Sequence, residues 1–293
     1  MTSGSTRRRM SLAVCGLAYL GAFFAAAYVV QTLYGLHPMI RIVSANLAAI
    51  VVLFTFSVAY DNSSLFDPYW SVAPPLIGWF WWVEAVPAVP AARQGLVLLL
   101  VCAWAIRLTG NWVRGWEGLG HEDWRYRQIR EQTGRSYWLA SLVGIHLVPG
   151  AIVLLACVPL RASLASGTDP IGWLDAVAAA VMAGAVTLEA VADEQLRRFR
   201  TTAAVGTTCD HGLWAYSRHP NYFGETAFWW GLALFGIASG VRTGWVVAGA
   251  VTVTVMFVLV SIPMLDRRSV ERRPGYAEHM RRVSRLVPWF PAR

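Results

Sequence analysis

The chain has 293 residues, of which 56% are hydrophobic and 14% charged, and its mean hydropathy is +0.45. Several runs approach the roughly 20 apolar residues that cross a bilayer, so the composition excludes a soluble globular protein. The net charge of +8 comes from Arg alone and lies between the apolar runs, which argues against a nucleic-acid-binding face. Four Cys without a CxxC pair predict neither a metal site nor a disulfide framework.

The apolar runs predict an all-α bundle of seven or eight transmembrane helices. The first run follows the basic start MTSGSTRRRM and is too long for a signal peptide. The other predicted helices lie at about 39–60, 75–90, 93–108, 139–160, 171–192, 223–238 and 245–263. The 75–90 segment is short, and a re-entrant course for it would reduce the number of spans from eight to seven.

Arg residues are concentrated in alternate connections of this predicted bundle. Most lie at the N-terminus, in 107–135, in 197–218 and in 267–293, whereas the other connections carry single Arg residues. Because cytoplasmic connections hold the excess of basic residues, eight helices with both termini in the cytoplasm satisfy the pattern. We expect a multi-pass protein of a bacterial plasma membrane, with residues 1–60 as an N-terminal hairpin and 61–293 as one integrated bundle.

The most polar motif beside a predicted membrane helix is GLWAYSRHPNYFGE, residues 212–225. Its Gly and Pro residues interrupt regular structure, and polar backbone at membrane depth needs protein or water partners, so the motif indicates a site. Asn221 and Glu225, four residues apart at a helix start, are suited to binding hydroxyl or amide groups of a ligand. Tyr216 and Arg218 could equally contact lipid headgroups at the membrane surface.

Charged residues continue the predicted helix that ends near residue 192. Four of them share one face at helical spacing: Glu189, Asp193, Arg197 and Arg200. This face is either a salt-bridged helix end or the wall of a site, and the position of Glu189 inside an apolar run favours the site. Further Arg residues in 107–114 and 266–276 would suit phosphate groups of a ligand, and those of the tail could equally bind acidic lipid headgroups. No GxGxxG or GxxxxGK[ST] motif indicates a soluble nucleotide fold.

Two isolated titratable residues lie within predicted spans. Glu84 is a lone acid in the apolar sequence WWVEAVP, which would suit proton donation or a hydrogen bond to a carbonyl. His146 is interpreted as a satisfied polar residue inside the bundle.

Several of these motifs together resemble the DUF1295 membrane proteins, whose C-terminal region is of the steroid 5-alpha-reductase type. The matching segments are FDPYWSVAP, RLTGNWVRGW, EDWRYRQIR, ADEQLRRFR, GLWAYSRHPNYFGE, SIPM and RRPGY. The wider superfamily includes reductases of steroids, sterols and very-long-chain lipids. Isoprenylcysteine and phospholipid methyltransferases share its RHPxYxG core.

The resemblance to the reductases implies a cofactor site for NADPH. The residues at matching positions are Asp193, Arg200, Asn221 and Glu225, with Arg197, Tyr216, Arg218, His219 and Tyr222 beside them. Glu84 is similar to the reductase Glu that contacts the steroid carbonyl. Two departures concern the substrate, because Trp104 stands where the reductases have a Tyr that shares this task, and Glu189 where they have an Asn.

Three functions follow from the sequence. The first is an integral membrane oxidoreductase that transfers hydride from NADPH to an activated C=C of a lipid or steroid-like substrate. The second is a SAM-dependent methyltransferase of a lipid or prenyl group on the same RHPNYFG core, which would need fewer Arg residues because SAM has no phosphates. The third is a non-catalytic lipid-binding relative. The expected partners are the bilayer and a hydrophobic small molecule, and the sequence indicates neither a nucleic acid nor an oligomeric state.

Overall fold

The computed structural model describes residues 2–292, and every regular element in this range is helical. In chain order the α-helices are α1 Thr2–Thr32, α2 Pro38–Ala59, α3 Tyr69–Val83, α4 Ala91–Gly115, α5 Trp124–Thr133, α6 Tyr137–Ser141, α7 Val148–Ala156, α8 Val158–Arg161, α9 Trp173–Thr202, α10 Pro220–Ala238, α11 Trp245–Met256, α12 Ile262–Arg272 and α13 Tyr276–Arg282. Short 3-10 or π-helical turns adjoin several of them. The prediction of an all-α membrane bundle is confirmed.

The chain divides into two compact units. Unit 1 comprises Met1–Glu84 and Leu108–Leu155, and unit 2 comprises Ala85–Arg107 and Ala156–Arg293. Helix α4 contributes residues to both units. These limits differ from the predicted hairpin of residues 1–60, because α3 and the segment from α5 to α7 group with α1 and α2.

Six helical segments within residues 2–292 are long and apolar enough to cross a membrane, where the sequence predicted seven or eight. They are Thr6–Thr32, Pro38–Ala59, Ala91–Gly115, Trp124–Ser166, Trp173–Thr202 and Trp245–Arg272. The two other predicted spans form α3 and α10. Helix α3 has 15 residues and so extends for about 22 Å, which is shorter than the ~30 Å hydrocarbon core. Helix α10 has 19 residues, but it begins within the polar RHPNYFGE motif.

The surfaces of the long helices are apolar, as lipid contact requires. Tyr28 on α1 is 72% exposed, Ile106 on α4 is 73% exposed, and Leu259 beyond α11 is 67% exposed. Such extensive exposed apolar surface is rare on soluble monomers. The chain is therefore a multi-pass integral membrane protein.

Unit 1 is organised around the packing of α1 along α2 and around a polar turn before α3. Cys15, Leu65 and Trp116 form a buried apolar cluster there. The Asn62 side chain fixes the turn, because its Nδ2 donates hydrogen bonds to the carbonyl oxygens of Leu119 and His121 at 2.8 and 3.1 Å. Buried polar groups of this kind need such partners, so these hydrogen bonds hold the turn in place.

Unit 2 is organised around α10, which packs along α9 and against α8 and α11. The fully buried Arg93 of α4 joins the segments around it. Its Nε and Nη2 donate to the Asp175 carboxylate at 2.7 and 2.9 Å, and its Nη1 and Nη2 donate to the carbonyl oxygens of Asp169 and Ala238 at 2.8 and 3.2 Å. A planar guanidinium satisfies so many acceptors at once, so Arg93 clamps the start of α9 to the end of α10.

Helix α9 continues ten residues beyond the predicted apolar span, to Thr202. Arg198 Nε donates to Glu194 Oε1 at 2.6 Å, four residues earlier, and this pairing supports the helix after its apolar part has ended. Asp193, Arg197 and Arg200 are consequently helical residues.

Candidate functional site

Three acidic side chains of unit 2 surround the guanidinium of Arg107. Its Nη2 lies 2.7 Å from Glu189 Oε1 and 3.9 Å from Glu225 Oε2, and its Nη1 lies 2.9 Å from Asp193 Oδ2. Helix α4 supplies the Arg, α9 supplies Glu189 and Asp193, and α10 supplies Glu225. Because all four side chains are at most 14% exposed, one positive charge faces up to three negative charges away from solvent. We call this group the Arg107 cluster.

Glu225 is held in place by two tryptophans. Trp104 Nε1 donates to its Oε2 and Trp229 Nε1 to its Oε1, both at 2.9 Å. The Trp104 ring also stacks on Phe228, with centroids 4.6 Å apart and planes 12° apart. An indole is a donor only, so Trp104 orients the Glu225 carboxylate and offers no acceptor of its own.

Asn221 connects the start of α10 to this cluster. Its Nδ2 donates to Asp193 Oδ1 at 3.3 Å, and its Oδ1 accepts the backbone N–H of Tyr222 at 3.1 Å. The predicted association of Asn221, Asp193 and Glu225 is present in the structure around Arg107. The Nε of Arg107 is buried and has no hydrogen-bond partner within residues 2–292, which leaves one charged donor for a ligand.

The Arg-His pair of the motif belongs to a second group centred on Asp266 of α12. Arg218 Nη2 lies 3.2 Å from Asp266 Oδ2, His219 Nε2 lies 2.9 Å from Oδ1, and the Tyr276 hydroxyl donates to Oδ1 at 2.8 Å. A carboxylate only accepts, so His219 carries its proton on Nε2. Burial, and then the neighbouring Asp266, raises the pKa of Tyr276, which keeps the phenol protonated as a donor.

A cavity of about 530 Å³ opens beside Asp266, with three arginines on its wall. Its lining residues are Arg218, Pro263, Asp266, Arg267, Val270, Glu271, Met280 and Arg285. Arg218 is 7% exposed, and in the described chain its Nε and Nη1 have no hydrogen-bond partner. A buried guanidinium with unused N–H groups is costly without an acceptor, and anionic oxygens are the acceptors it matches best.

The remaining predicted site residues have different surroundings, and the Tyr222 ring lies 5.8 Å from that of His219. Tyr222 stacks on Phe257 with centroids 4.6 Å apart. Arg197 pairs with Glu194 at 2.6 Å on the exposed side of α9, so it does not share the site of Asp193 as its spacing suggested. Tyr216 is 42% exposed and its carbonyl accepts the backbone N–H of Trp289 at 2.9 Å.

Arg200 is exposed at the end of α9 and lies within electrostatic range of Asp193 and Arg273. Its position therefore allows contact with a ligand beside Asp193, although it joins neither group directly.

The sequence indicated that Glu84 is a lone acid, but in the structure it has an ion-pair partner. Within unit 1 its Oε1 accepts Arg41 Nη1 at 2.7 Å, and the Arg41 guanidinium lies over the rings of Tyr34 and Phe80, 5.2 and 5.4 Å from their centroids. Arg41 thus fixes the orientation of Glu84. The assignment of Glu84 as a catalytic acid stays a prediction.

Sequence reasoning missed the two residues at the centres of these groups. Arg107 was recognised only as one of several Arg residues, and Asp266 only as the start of the basic tail. Each of them is a charged residue at the end of an apolar run, and this could have identified them. A charged side chain near the membrane costs free energy unless it is paired.

Comparisons with known proteins place the chain among proteins without an assigned function. The profile of a family described as "Protein of unknown function (DUF1295)" matches residues 53–283. The uncharacterized protein C594.04c of Schizosaccharomyces pombe is 26% identical over 261 residues, which cover 81% of this chain and 76% of the relative. That relative comes from a fission yeast, so it does not support the expected bacterial origin. No solved structure matches the chain.

Proposed function

The chain belongs to the DUF1295 family of proteins of unknown function, and from that premise we propose that it is an integral membrane oxidoreductase that uses NADPH. Its substrate would be an activated C=C of a lipid or steroid-like molecule in the bilayer. The two sites of unit 2 would lie at the cytoplasmic ends of their helices, where the soluble cofactor is present.

One observation carries this proposal, namely the incompletely paired Arg218 in a cavity that Arg267 and Arg285 also line. Guanidinium groups recognise phosphate oxygens through paired, charge-assisted hydrogen bonds. The volume of about 530 Å³ lies within the range of cofactor sites. A phosphate-bearing cofactor therefore fits the residues present, and NADPH carries such groups.

The Arg107 cluster supplies the other kind of contact that this cofactor needs. Asn221 and Asp193 offer amide and carboxylate groups, which bind hydroxyl and amide groups of a ribose or a nicotinamide. When bound, NADPH supplies the hydride. The protein's own residues in unit 2 would orient it and exclude water.

A SAM-dependent methyltransferase is the second candidate, and the charge of the Arg107 cluster favours it. Three acidic side chains around one guanidinium offer oxygen acceptors to a cationic ligand, and SAM carries an ammonium and a sulfonium group. SAM has no phosphate, however, and would leave Nε and Nη1 of Arg218 without the anionic acceptor that they match best.

Titration calorimetry on detergent-purified protein tests the proposal with NADPH, NADH and SAM. Arg267 is exposed and lines the cavity, so Arg267→Gln should fold and should lose roughly 10- to 100-fold in affinity for NADPH, the cost of about one charged hydrogen bond. Arg281→Gln, on the exposed surface of α13 outside the cavity lining, is the matched control and should bind normally.

Binding of SAM without binding of NADPH would replace the proposal by the methyltransferase. If none of the three compounds binds, the third function, a non-catalytic lipid-binding protein, would replace both proposals. Equal loss of NADPH affinity in both Arg variants would show that net charge, not the cavity, is responsible.

A further inference from the structure

The segment 284–292 of unit 2 lies across the residues that precede α10. The Ser284 carbonyl oxygen accepts the backbone N–H of Arg218 at 2.9 Å. The Leu286 carbonyl oxygen accepts the Ser217 hydroxyl at 2.7 Å. The segment contains no regular secondary structure, so these hydrogen bonds to a distant part of the chain hold it in place.

Two aromatic side chains of this segment are largely exposed. Trp289 is 70% exposed and Phe290 is 77% exposed, and their ring centroids are 6.4 Å apart. The Trp289 backbone N–H donates to the Tyr216 carbonyl oxygen at 2.9 Å, and the Tyr216 ring lies 6.1 Å from that of Phe290. Tyr216 is exposed as well, so the three rings share one surface, which we call the aromatic patch.

Two neighbouring helix ends indicate where the aromatic patch lies. Residues 216–218, to which the segment is bonded, directly precede the start of α10 at Pro220. The segment also follows α13, which begins four residues after α12 ends at Arg272. The candidate membrane span Trp245–Arg272 ends at the same residue. We therefore expect the aromatic patch at the membrane surface, where the chain leaves the bilayer.

The chain around the aromatic patch is strongly basic. The range 266–292 contains seven Arg and three acidic residues. Arg272 and Arg282 are exposed, whereas Asp266 is buried and already paired with Arg218. Clusters of Arg beside a membrane helix attract acidic phospholipids, which the cytoplasmic leaflet contains. The distribution of Arg along the chain predicts that this end of the protein faces the cytoplasm.

The headgroup region of a bilayer suits both the rings and the backbone of this segment. Trp and Tyr rings are apolar with one polar group, so they favour the boundary between lipid tails and water. In water alone the aromatic patch would remain exposed apolar surface. Among the lipid tails, a segment without helix or strand would leave backbone groups without hydrogen bonds. At the headgroups the rings reach the tails while the backbone stays hydrated.

We propose that the 284–292 segment binds acidic phospholipids at the cytoplasmic surface of the bilayer. The aromatic patch enters the boundary of the lipid tails, and the exposed guanidinium groups of Arg272 and Arg282 contact the anionic headgroups. Apolar burial and charge attraction then act together, which is the combination that holds peripheral segments on acidic membranes.

Lipid binding by this segment supports the arginine cavity beside Asp266. Arg285 of the segment lines that cavity, and its Nη2 donates to the Val258 carbonyl oxygen. Arg218, whose backbone N–H is bonded to Ser284, lines the cavity as well. A segment held on the bilayer keeps these two Arg residues in place, so acidic lipid should increase the affinity of the cavity for an anion. This step rests on the proposed function only in treating the cavity as an anion site.

Quenching of a fluorophore by lipid tests the binding of the segment to the bilayer. Ala292 is exposed and follows the aromatic patch by two residues, so Ala292→Cys carries the fluorophore in a full-length chain whose four native cysteines are replaced by alanine. The protein is placed in nanodiscs of phosphatidylcholine with or without phosphatidylglycerol, and brominated phosphatidylcholine is the quencher. Phosphatidylglycerol should increase the quenching by about twofold or more, and high salt should remove most of this increase.

Substitution of both exposed rings, Trp289→Ser with Phe290→Ser, should abolish the quenching. Trp173→Ser is the matched control, because Trp173 is also 77% exposed but lies at the start of α9. The 30 residues of α9 extend for about 45 Å, so Trp173 belongs to the other membrane surface. Quenching that is the same in both lipid mixtures, as a covering second copy of the chain would give, overturns the proposal. Quenching that persists without the two rings also overturns it.

Titration with inorganic pyrophosphate in the same nanodiscs tests the effect on the cavity. An acidic membrane repels anions, so without support of the cavity phosphatidylglycerol would lower the affinity. We expect it to raise the affinity by roughly threefold or more, and the double substitution to remove this gain. Absent binding, or an affinity that does not rise, overturns the effect on the cavity. Binding of pyrophosphate without binding of NADPH would contradict the proposed function and leave this inference standing.

Discussion

Asp67 shows how burial alone can give a carboxyl group an unusual proton affinity. The Tyr126 hydroxyl donates to its Oδ1 at 2.5 Å. Burial raises the pKa of Asp67 to about 6, against the opposing effects of Arg125 and the Tyr126 hydrogen bond. The groups that face it are Cys15, Tyr19, Trp112, Asp123, Arg125 and Tyr126.

We therefore expect a stability that falls as pH rises, in contrast to the usual behaviour of carboxylates. The folded state binds the Asp67 proton more tightly than the unfolded chain, so this contribution is complete below about pH 4 and is lost through about pH 6. The full difference is up to about 3 kcal/mol. Thermal unfolding of the unsubstituted protein and of Asp67→Asn between pH 4 and 8 measures it.

The amide that Asp67→Asn introduces would accept the Tyr126 hydrogen bond without titrating. Stability of the unsubstituted protein relative to this variant should therefore decline across the pH range. A difference between the two proteins that does not vary with pH would contradict the prediction.

The indole N–H of Trp104 is a second single-residue feature, because it donates one of the hydrogen bonds that hold the buried Glu225 carboxylate. Trp104→Phe removes the 2.9 Å hydrogen bond to Glu225 and can retain the stack on Phe228. We expect a loss of about 1–3 kcal/mol in the free energy of unfolding, measured by denaturant titration in detergent. In a Glu225→Leu background, which has no acceptor for the indole N–H, the same substitution should cost much less, and this difference isolates the interaction. Trp79→Phe, on the exposed face of α3, should have little effect.

The sequence predicted that Asn221 and Glu225 do more than contact the membrane surface. In the structure Glu225 lies in the Arg107 cluster, and Asn221 donates a hydrogen bond to its Asp193. It could not predict that Trp104 donates to Glu225, because the two are 121 positions apart. Spacing rules identify neighbours within one helix only. Contacts between helices depend on how the helices are rotated and packed, and a single sequence does not determine this.

At the scale of elements, glycines set the approach of α9 and α10. A Cβ added at Gly224 would lie 2.9 Å from the Glu189 Cβ and 3.0 Å from the Ala185 carbonyl oxygen, and one at Gly231 would lie 2.6 Å from the Met182 Cγ. Small residues at a membrane helix interface permit close approach of the backbones. The same contact brings Glu189 beside the start of α10, so the packing of two helices builds the Arg107 cluster.

Gly224→Ala should force these helices apart and reduce the free energy of unfolding by about 1–3 kcal/mol, the usual cost of overpacking. Gly184→Ala is the matched control, since no atom lies within 4 Å of its added Cβ and it is on the same α9 helix. It should stabilise the protein by roughly 0.5–1 kcal/mol, because alanine favours a helix over glycine. Thermal unfolding in detergent measures the stability of both variants. The same change in stability at both positions would contradict close packing of α9 and α10 at Gly224.

Element boundaries were less predictable than element type. Hydropathy located the apolar part of α9, but the helix continues to Thr202 through charged residues paired at helical spacing. The segment Trp124–Ser166 is similarly longer than the predicted helix at 139–160, because its polar beginning forms α5. Apolar periodicity reports contact with lipid or core, whereas a helix also extends wherever local hydrogen bonds and ion pairs support it.

At the scale of the whole molecule, the number of membrane crossings depends on α3 and α10. Helix α10 begins with the polar residues of the RHPNYFGE motif, and eleven of its residues are buried by protein. A membrane helix that other helices shield from lipid need not be apolar on every face, so a criterion based on composition can miss it. Helix α3 is short, but Trp79 and Val83 are exposed at 58% and 64%, as lipid contact requires. We predict that both helices cross the membrane, which would give eight crossings.

Cysteine accessibility in intact cells decides between eight crossings and six. With eight, the Arg-rich connections at Gln128 and His211 lie in the cytoplasm, and those at Tyr34 and Arg242 lie outside. With the six candidate spans alone, all four positions would lie outside.

Single cysteines are introduced at these exposed positions after the four native cysteines are replaced by alanine. A membrane-impermeant maleimide should label Tyr34→Cys and Arg242→Cys directly, and Gln128→Cys and His211→Cys only after permeabilisation. Labelling of all four in intact cells would show that α3 and α10 do not cross, and the excess of Arg would then face the wrong side.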